Sequence, residues 1–126
     1  MPFSDLRRYA GGHPLSPGSN LNNALLVMTT CASPDQAREL AAALVGERLA
    51  ACVNALPQVS STYRWEGKID VAEECLLLIK TTRARFKALE QAIKARSTYE
   101  LPEILAVRID AGSDEYLQWI CASVAD

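Results

Sequence analysis

Residues 47–82 read ERLAACVNALPQVSSTYRWEGKIDVAEECLLLIKTT, and this stretch decides the fold. It leaves a helix, runs through small and β-favouring residues, turns at Glu66-Gly67 and returns as a long apolar strand ending in Lys80-Thr81-Thr82. The outgoing strand covers Ala51 to Trp65. Period-two alternation puts Val59, Ser61, Tyr63 and Trp65 on one face and Ser60, Thr62 and Arg64 on the other. Pro57 has no N–H to give to a ladder, so it marks a bend or an edge. Glu66-Gly67 suits a tight hairpin turn. The return strand, Lys68 to Thr82, is apolar on both faces between Cys75 and Ile79.

Working outward, Ala24 to Thr30 is a short apolar run bounded by polar residues, which predicts a buried strand. Ser33-Pro34-Asp35-Gln36 then opens a helix. The Ser33 hydroxyl can accept from an orphan amide, and Pro34 loses nothing at the first helical position. Ala37, Leu40, Ala41, Leu44 and Val45 follow at helical spacing. Phe86, Leu89 and Ile93 mark a second helix, and Glu103 to Asp110 a fourth strand. Gly112-Ser113-Asp114 opens a last helix with a stripe of Leu117, Ile120, Cys121 and Val124. The order β-α-β-β-α-β plus a terminal helix predicts an α+β, ferredoxin-like antiparallel sheet. Its central hairpin is longer than so small a sheet needs. Unpaired edges of that length must be covered, and pairing with neighbouring subunits is the natural cover.

The chain has 126 residues, enough for one domain. Residues 1–22 are rich in Gly, Pro, Ser and Asn and read as a flexible extension; residues 23–126 form the single folded domain. His13, the sole histidine, falls in that extension. The net charge is −2, with Arg7 and Arg8 in the extension outnumbering Asp5. Without clustered Lys and Arg, nucleic acid is excluded as the main partner. No apolar run reaches the 18 or so residues of a membrane span. Cys31, Cys52, Cys75 and Cys121 form no C-x-x-C pair and follow no secretory signal, which predicts reduced thiols in a cytoplasmic protein.

Five ordered sequence words resemble the CutA family of divalent-cation-tolerance proteins. They are Leu49-Ala50-Ala51-Cys52-Val53-Asn54, Tyr63-Arg64-Trp65-Glu66-Gly67-Lys68-Ile69, Lys80-Thr81, Tyr99-Glu100-Leu101-Pro102-Glu103-Ile104 and Tyr116-Leu117-Gln118-Trp119. The resemblance runs over roughly residues 24 to 125. It implies a homotrimer and a non-enzymatic role in tolerance to divalent cations, copper included. One departure stands out: the family's His-Pro pair before the residue that is Tyr99 here is replaced by Ser97-Thr98.

Two constellations could carry chemistry. Cys52 and Cys31 are the candidate metal ligands, because thiolates are soft donors that suit copper. No cofactor beyond such an ion is called for. Trp65, Lys80, Tyr99 and Glu103 sit at positions typical of the family; a Lys80–Glu103 pair with the two aromatic rings would form either a subunit interface or a polar-rimmed pocket for a small ligand. That pocket supports an alternative role, a trimeric small-ligand sensor like the nitrogen-regulatory signalling trimers, an analogy of fold alone. Basic residues on the second helix read as a solvated face. Glu73 and Glu74, adjacent on a strand, point to opposite faces. A nucleophile, base and orienter do not come together in the sequence, so no enzyme is expected.

Overall fold

A computed structural model describes residues 23–125. The expected flexible extension, residues 1–22 with His13, lies outside the described residues, as does Asp126. The elements are β1 (Ala24–Cys31), α1 (Pro34–Gly46), β2 (Cys52–Trp65), β3 (Lys68–Thr82), a 3-10 turn (Arg83–Arg85), α2 (Phe86–Arg96), β4 (Leu105–Arg108) and α3 (Asp114–Val124). The strands form one antiparallel sheet in the order β2-β3-β1-β4, the ferredoxin-like arrangement expected from the element order. The fourth strand is shorter than the sequence suggests, running from Leu105 to Arg108 only.

Local chemistry explains the boundaries. Ser33 caps α1, its hydroxyl accepting from the Gln36 amide at 3.2 Å, with Pro34 in the first turn. Ser113 caps α3 in the same way, accepting from Tyr116. Glu66 and Gly67 both take positive φ, 51° and 79°, which matches the right-handed twist of the flanking strands. Near Pro57 the β2–β3 register slips between Leu56 and Val59, and Gln58 takes φ 59°. The bulge absorbs the residue that cannot donate. Beyond it Val59, Ser61, Tyr63 and Trp65 oppose Glu74, Ala72, Asp70 and Lys68, so the expected facing is met.

The two sheet faces are covered differently. Leu25, Val27, Cys31, Cys75, Leu77 and Ile79 share one face and pack with Ala37, Leu40, Leu44, Leu89 and Ile93 from α1 and α2. The Thr81 hydroxyl lies on this face and donates to the Leu49 carbonyl at 2.7 Å, tying the α1–β2 turn to β3. On the opposite face α3 covers one end only, where Leu117, Trp119, Ile120 and Val124 meet Ala24 and Ala51. The rest of that second face carries Leu26, Met28, Leu76 and Leu78, half-buried, with Leu56, Leu105 and Val107 at 40%, 56% and 47% exposure. The basic residues of α2 are solvated, Lys87 and Lys94 both pairing with Glu90.

Leu77 is fully buried at the centre of the α-covered face. Leu77→Ala should therefore destabilise the chain by about 2–5 kcal/mol, whereas Val71→Ala, on the exposed hairpin arm, should cost far less; urea unfolding at one fixed protein concentration measures both.

Candidate functional site

The hairpin arm and the α2–β4 connection meet at the open end of the sheet. Here the Tyr99 hydroxyl donates to Glu74 Oε2 at 2.6 Å. Ser61 and Thr30 also hydrogen-bond the Glu74 carboxylate. Burial pulls the Glu74 carboxyl upward, but these three donors outweigh it and hold the group below the usual glutamate range. Tyr99 shifts the other way: burial raises its phenol, and the hydrogen bond to Glu74 and that carboxylate's charge raise it further. The pair therefore stays carboxylate and neutral phenol across physiological pH, a fixed link between β3 and the segment after α2.

Around this link lies an open groove of about 580 Å³. Tyr63, Trp65 and Tyr99 supply rings to it, and Glu74, Glu100 and Glu103 supply carboxylates. Trp65, Tyr99 and Glu103 are thus brought together as the sequence suggests. Lys80 is not among the lining residues. Its ammonium group donates to Asn54 Oδ1 and stands 3.8 Å from Cys52 Sγ, toward the α3 end of the sheet. The expected Lys80–Glu103 pair does not form within the chain, because β3 carries Lys80 to the strand end far from the hairpin arm. Without that lysine the groove is acidic and aromatic, a lining suited to a small cation rather than to an anion. Glu74 is the residue sequence reading missed. Its signal was parity: it shares a face with Ser61, Tyr63 and Trp65.

Three of the thiols, Cys31, Cys52 and Cys75, are spread over the sheet, Cys121 is on α3, and none is in a disulfide. Cys52 opposes Lys80, which opposes Leu26, while Cys31 ends β1. Five residues of strand, roughly 16 Å, therefore separate the levels of Cys52 and Cys31. They also lie on opposite faces of the sheet, Cys31 with Cys75 and Leu77, Cys52 with Lys80 and Tyr116. Within one chain they cannot share an ion. Tyr116 also hydrogen-bonds Cys52; its phenol is raised by burial first and by Cys52 next. Among the described residues no three His, Cys, Asp or Glu side chains converge as a metal-binding group. Cys31 and Cys52 therefore do not fit a shared divalent copper centre within the chain.

Residues 25–123 match the family model described as CutA1 divalent ion tolerance protein. The chain belongs to the CutA1 family. It is 47% identical over 95 residues to the divalent-cation tolerance protein CutA of Thermus thermophilus, covering 75% of this chain and 92% of that one. It is 39% identical over 97 residues to a chloroplastic CutA of Arabidopsis thaliana, covering 77% of this chain and 53% of the plant protein. The crystal structure of CutA from Xylella fastidiosa superposes with a TM-score of 0.80 at 42% identity, over 82% of this chain and 99% of that one. CutA1 membership accounts for the sheet order and the long hairpin. No helix among the described residues is long and apolar enough to cross a membrane.

Because Glu74 is held below the ordinary glutamate value near 4.3, its contribution to stability is present above that pH and is lost as pH falls through the lowered folded pKa. Tyr99→Phe removes one donor, so the Glu74 pKa should rise toward the ordinary value and the acid limb of stability should flatten. Carboxyl NMR titration of both proteins, with acid unfolding, reads the two effects.

Proposed function

We propose that this CutA1 protein serves divalent-cation tolerance as a non-enzymatic homotrimer of the cytoplasm, with copper the foremost ion. The observation that carries the reading is the family match across residues 25–123. The name of the Thermus relative states divalent-cation tolerance, and nothing in the family description names a reaction. The four reduced thiols suit a reducing compartment.

The trimer is supported by the second face of the sheet. Leu56, Leu105 and Val107 stand out from a half-buried apolar strip that α3 leaves uncovered, and a monomer would pay to keep such a patch in water. The hairpin arm also extends beyond β1: β3 pairs with β1 only from Cys75 onward, so Lys68 to Glu74 pair on one side alone. A neighbouring subunit meets both needs.

The ligand-sensor alternative draws its support from the aromatic and acidic groove at Trp65, Tyr99 and Glu103. A thermal-shift screen of small amines tests it, with stabilisation expected in the wild type and lost in Trp65→Ala.

The functional reading is tested by calorimetric titration of the reduced protein with Cu(II) and Zn(II), alongside light scattering. Direct divalent binding predicts saturable uptake near one ion per subunit and its loss in Cys52→Ser; uptake that is absent, or indifferent to Cys52, makes the contribution to tolerance indirect. Light scattering should give three times the mass of the chain, and Val107→Asp should shift that mass toward the monomer.

A further inference from the structure

Cys31 and Cys75 are partners in the β1–β3 ladder, directly opposite each other at the last level where these strands pair. Both lie on the α-covered face and both are buried. Their proximity registers electrostatically: the Cys31 thiol is pushed up by burial first, then by Cys75 and by Glu74. Side chains directly opposite in an antiparallel pair have Cβ atoms about 4.5–5.5 Å apart. A disulfide wants about 3.8 Å, so closing one would draw the strands together. An ion between the sulfurs fits without that movement: two metal–sulfur bonds of about 2.3 Å, as for zinc thiolates, place the sulfurs roughly 4.6 Å apart.

We infer that Cys31 and Cys75 form a two-coordinate site for a soft, thiophilic d10 cation, of the class of Cu(I), Ag(I) and Hg(II), held between β1 and β3. The inference deepens the metal reading above and rests on it for its biological sense. Thiolates select soft ions, and the absence of a third convergent ligand among the described residues disfavours the tetrahedral sphere of zinc. Both residues border cavities. Cys31 lines a cavity of about 200 Å³ with Thr29 and Thr98. The Thr29 hydroxyl there is buried and finds no hydrogen-bond partner among the described residues, an oxygen donor left open beside the path to Cys31. Cys75 lines a separate groove of about 510 Å³ with Glu73, which shares its face of β3 and adds a carboxylate there.

Binding forms two metal–sulfur bonds and breaks two S–H bonds, the two protons passing to solvent with no change of oxidation state. The bound unit is neutral with a divalent ion and carries −1 with a monovalent one. Glu74 lies close enough to act on Cys31, so the neutral unit, formed with a divalent ion, is the more favoured.

The test titrates reduced protein with Ag(I) and Hg(II), counting bound ions by native mass spectrometry and ligands by X-ray absorption. The expected result is one tightly held ion per chain with two sulfur neighbours, abolished by Cys75→Val and by Cys31→Ala but kept in Cys52→Ser and Cys121→Ala. A single sulfur neighbour in the wild type, or a site that survives Cys75→Val, overturns the inference. The absorption measurement needs no variant, so an unfolded Cys31→Ala or Cys75→Val leaves the question decidable. A silver site lost in Cys52→Ser alone sinks this inference while sparing the tolerance reading. A two-sulfur site in a protein whose removal leaves cells no more sensitive to copper sinks the tolerance reading while sparing the site.

Discussion

The rest of the structure depends on β3 pairing with two partners of unequal length. β3 has 15 residues, β2 matches it along nearly the whole span, and β1 offers 8. Where all three strands run together, backbone donors and acceptors on both edges of β3 are satisfied, and Cys75, Leu77 and Ile79 can be fully buried beneath α1 and α2. Where β1 stops, the same strand becomes one arm of a two-stranded ribbon, a structure marginal by itself in water. That single mismatch creates a packed half and an exposed half, and the residues with chemical potential collect where the two meet.

Cys31, Cys75, Glu74 and Tyr99 all belong to this boundary. Glu74 is the first β3 residue past the end of β1, so its carboxylate has lost a strand neighbour and must find donors elsewhere. It finds them in Thr30, Ser61 and Tyr99. Tyr99 thereby anchors the chain after α2 to the base of the hairpin and shapes one wall of the acidic groove. The phenol–carboxylate bond is short and partly shielded, and a hydrogen bond to a charged acceptor contributes more than a neutral one. It is a structural clasp that also leaves carboxylate charge facing the groove.

Much of this was legible from the chain alone, because it is local. Ser33-Pro34 and Ser113 announce helix starts through side-chain capping. Glu66-Gly67 announces the hairpin through positive φ, and Pro57 announces the bulge through its missing donor. Alternation assigned Tyr63 and Trp65 to one face correctly. What alternation cannot do is say which end of a strand, or which face after a helical crossover, a residue will occupy. Lys80 and Glu103 look adjacent as two strand ends, yet the ladder sends Lys80 to Asn54 and Cys52. Cys31 and Cys52 are candidates for one site as soft thiolates that could lie at the same end of the sheet, yet they fall on opposite faces. Trp119 falls outside the expected stripe of Leu117, Ile120, Cys121 and Val124, yet it is buried because the terminal helix covers the second face of the sheet.

The same geometry orders the possible chemistry of the thiols. Cys52 has the Lys80 ammonium and the Tyr116 phenol beside it. Cys31 is buried, with Cys75 and a carboxylate close by, so its thiol resists ionising unless a cation arrives to take the place of the proton. Resistance to ionisation also guards a buried thiol against oxidation, since the thiolate is the reactive form. A divalent oxygen-seeking ion would find neither environment attractive: one has an ammonium beside it and the other is lined by thiols. The acidic groove at Glu74, Glu100 and Glu103 is the place with oxygen donors, and there the carboxylates are spaced by aromatic rings instead of converging on one point. The thiol pair and the acidic groove thus lie at the same boundary but on opposite faces of the sheet, a separation that follows from the alternation of Glu74 and Cys75 along β3.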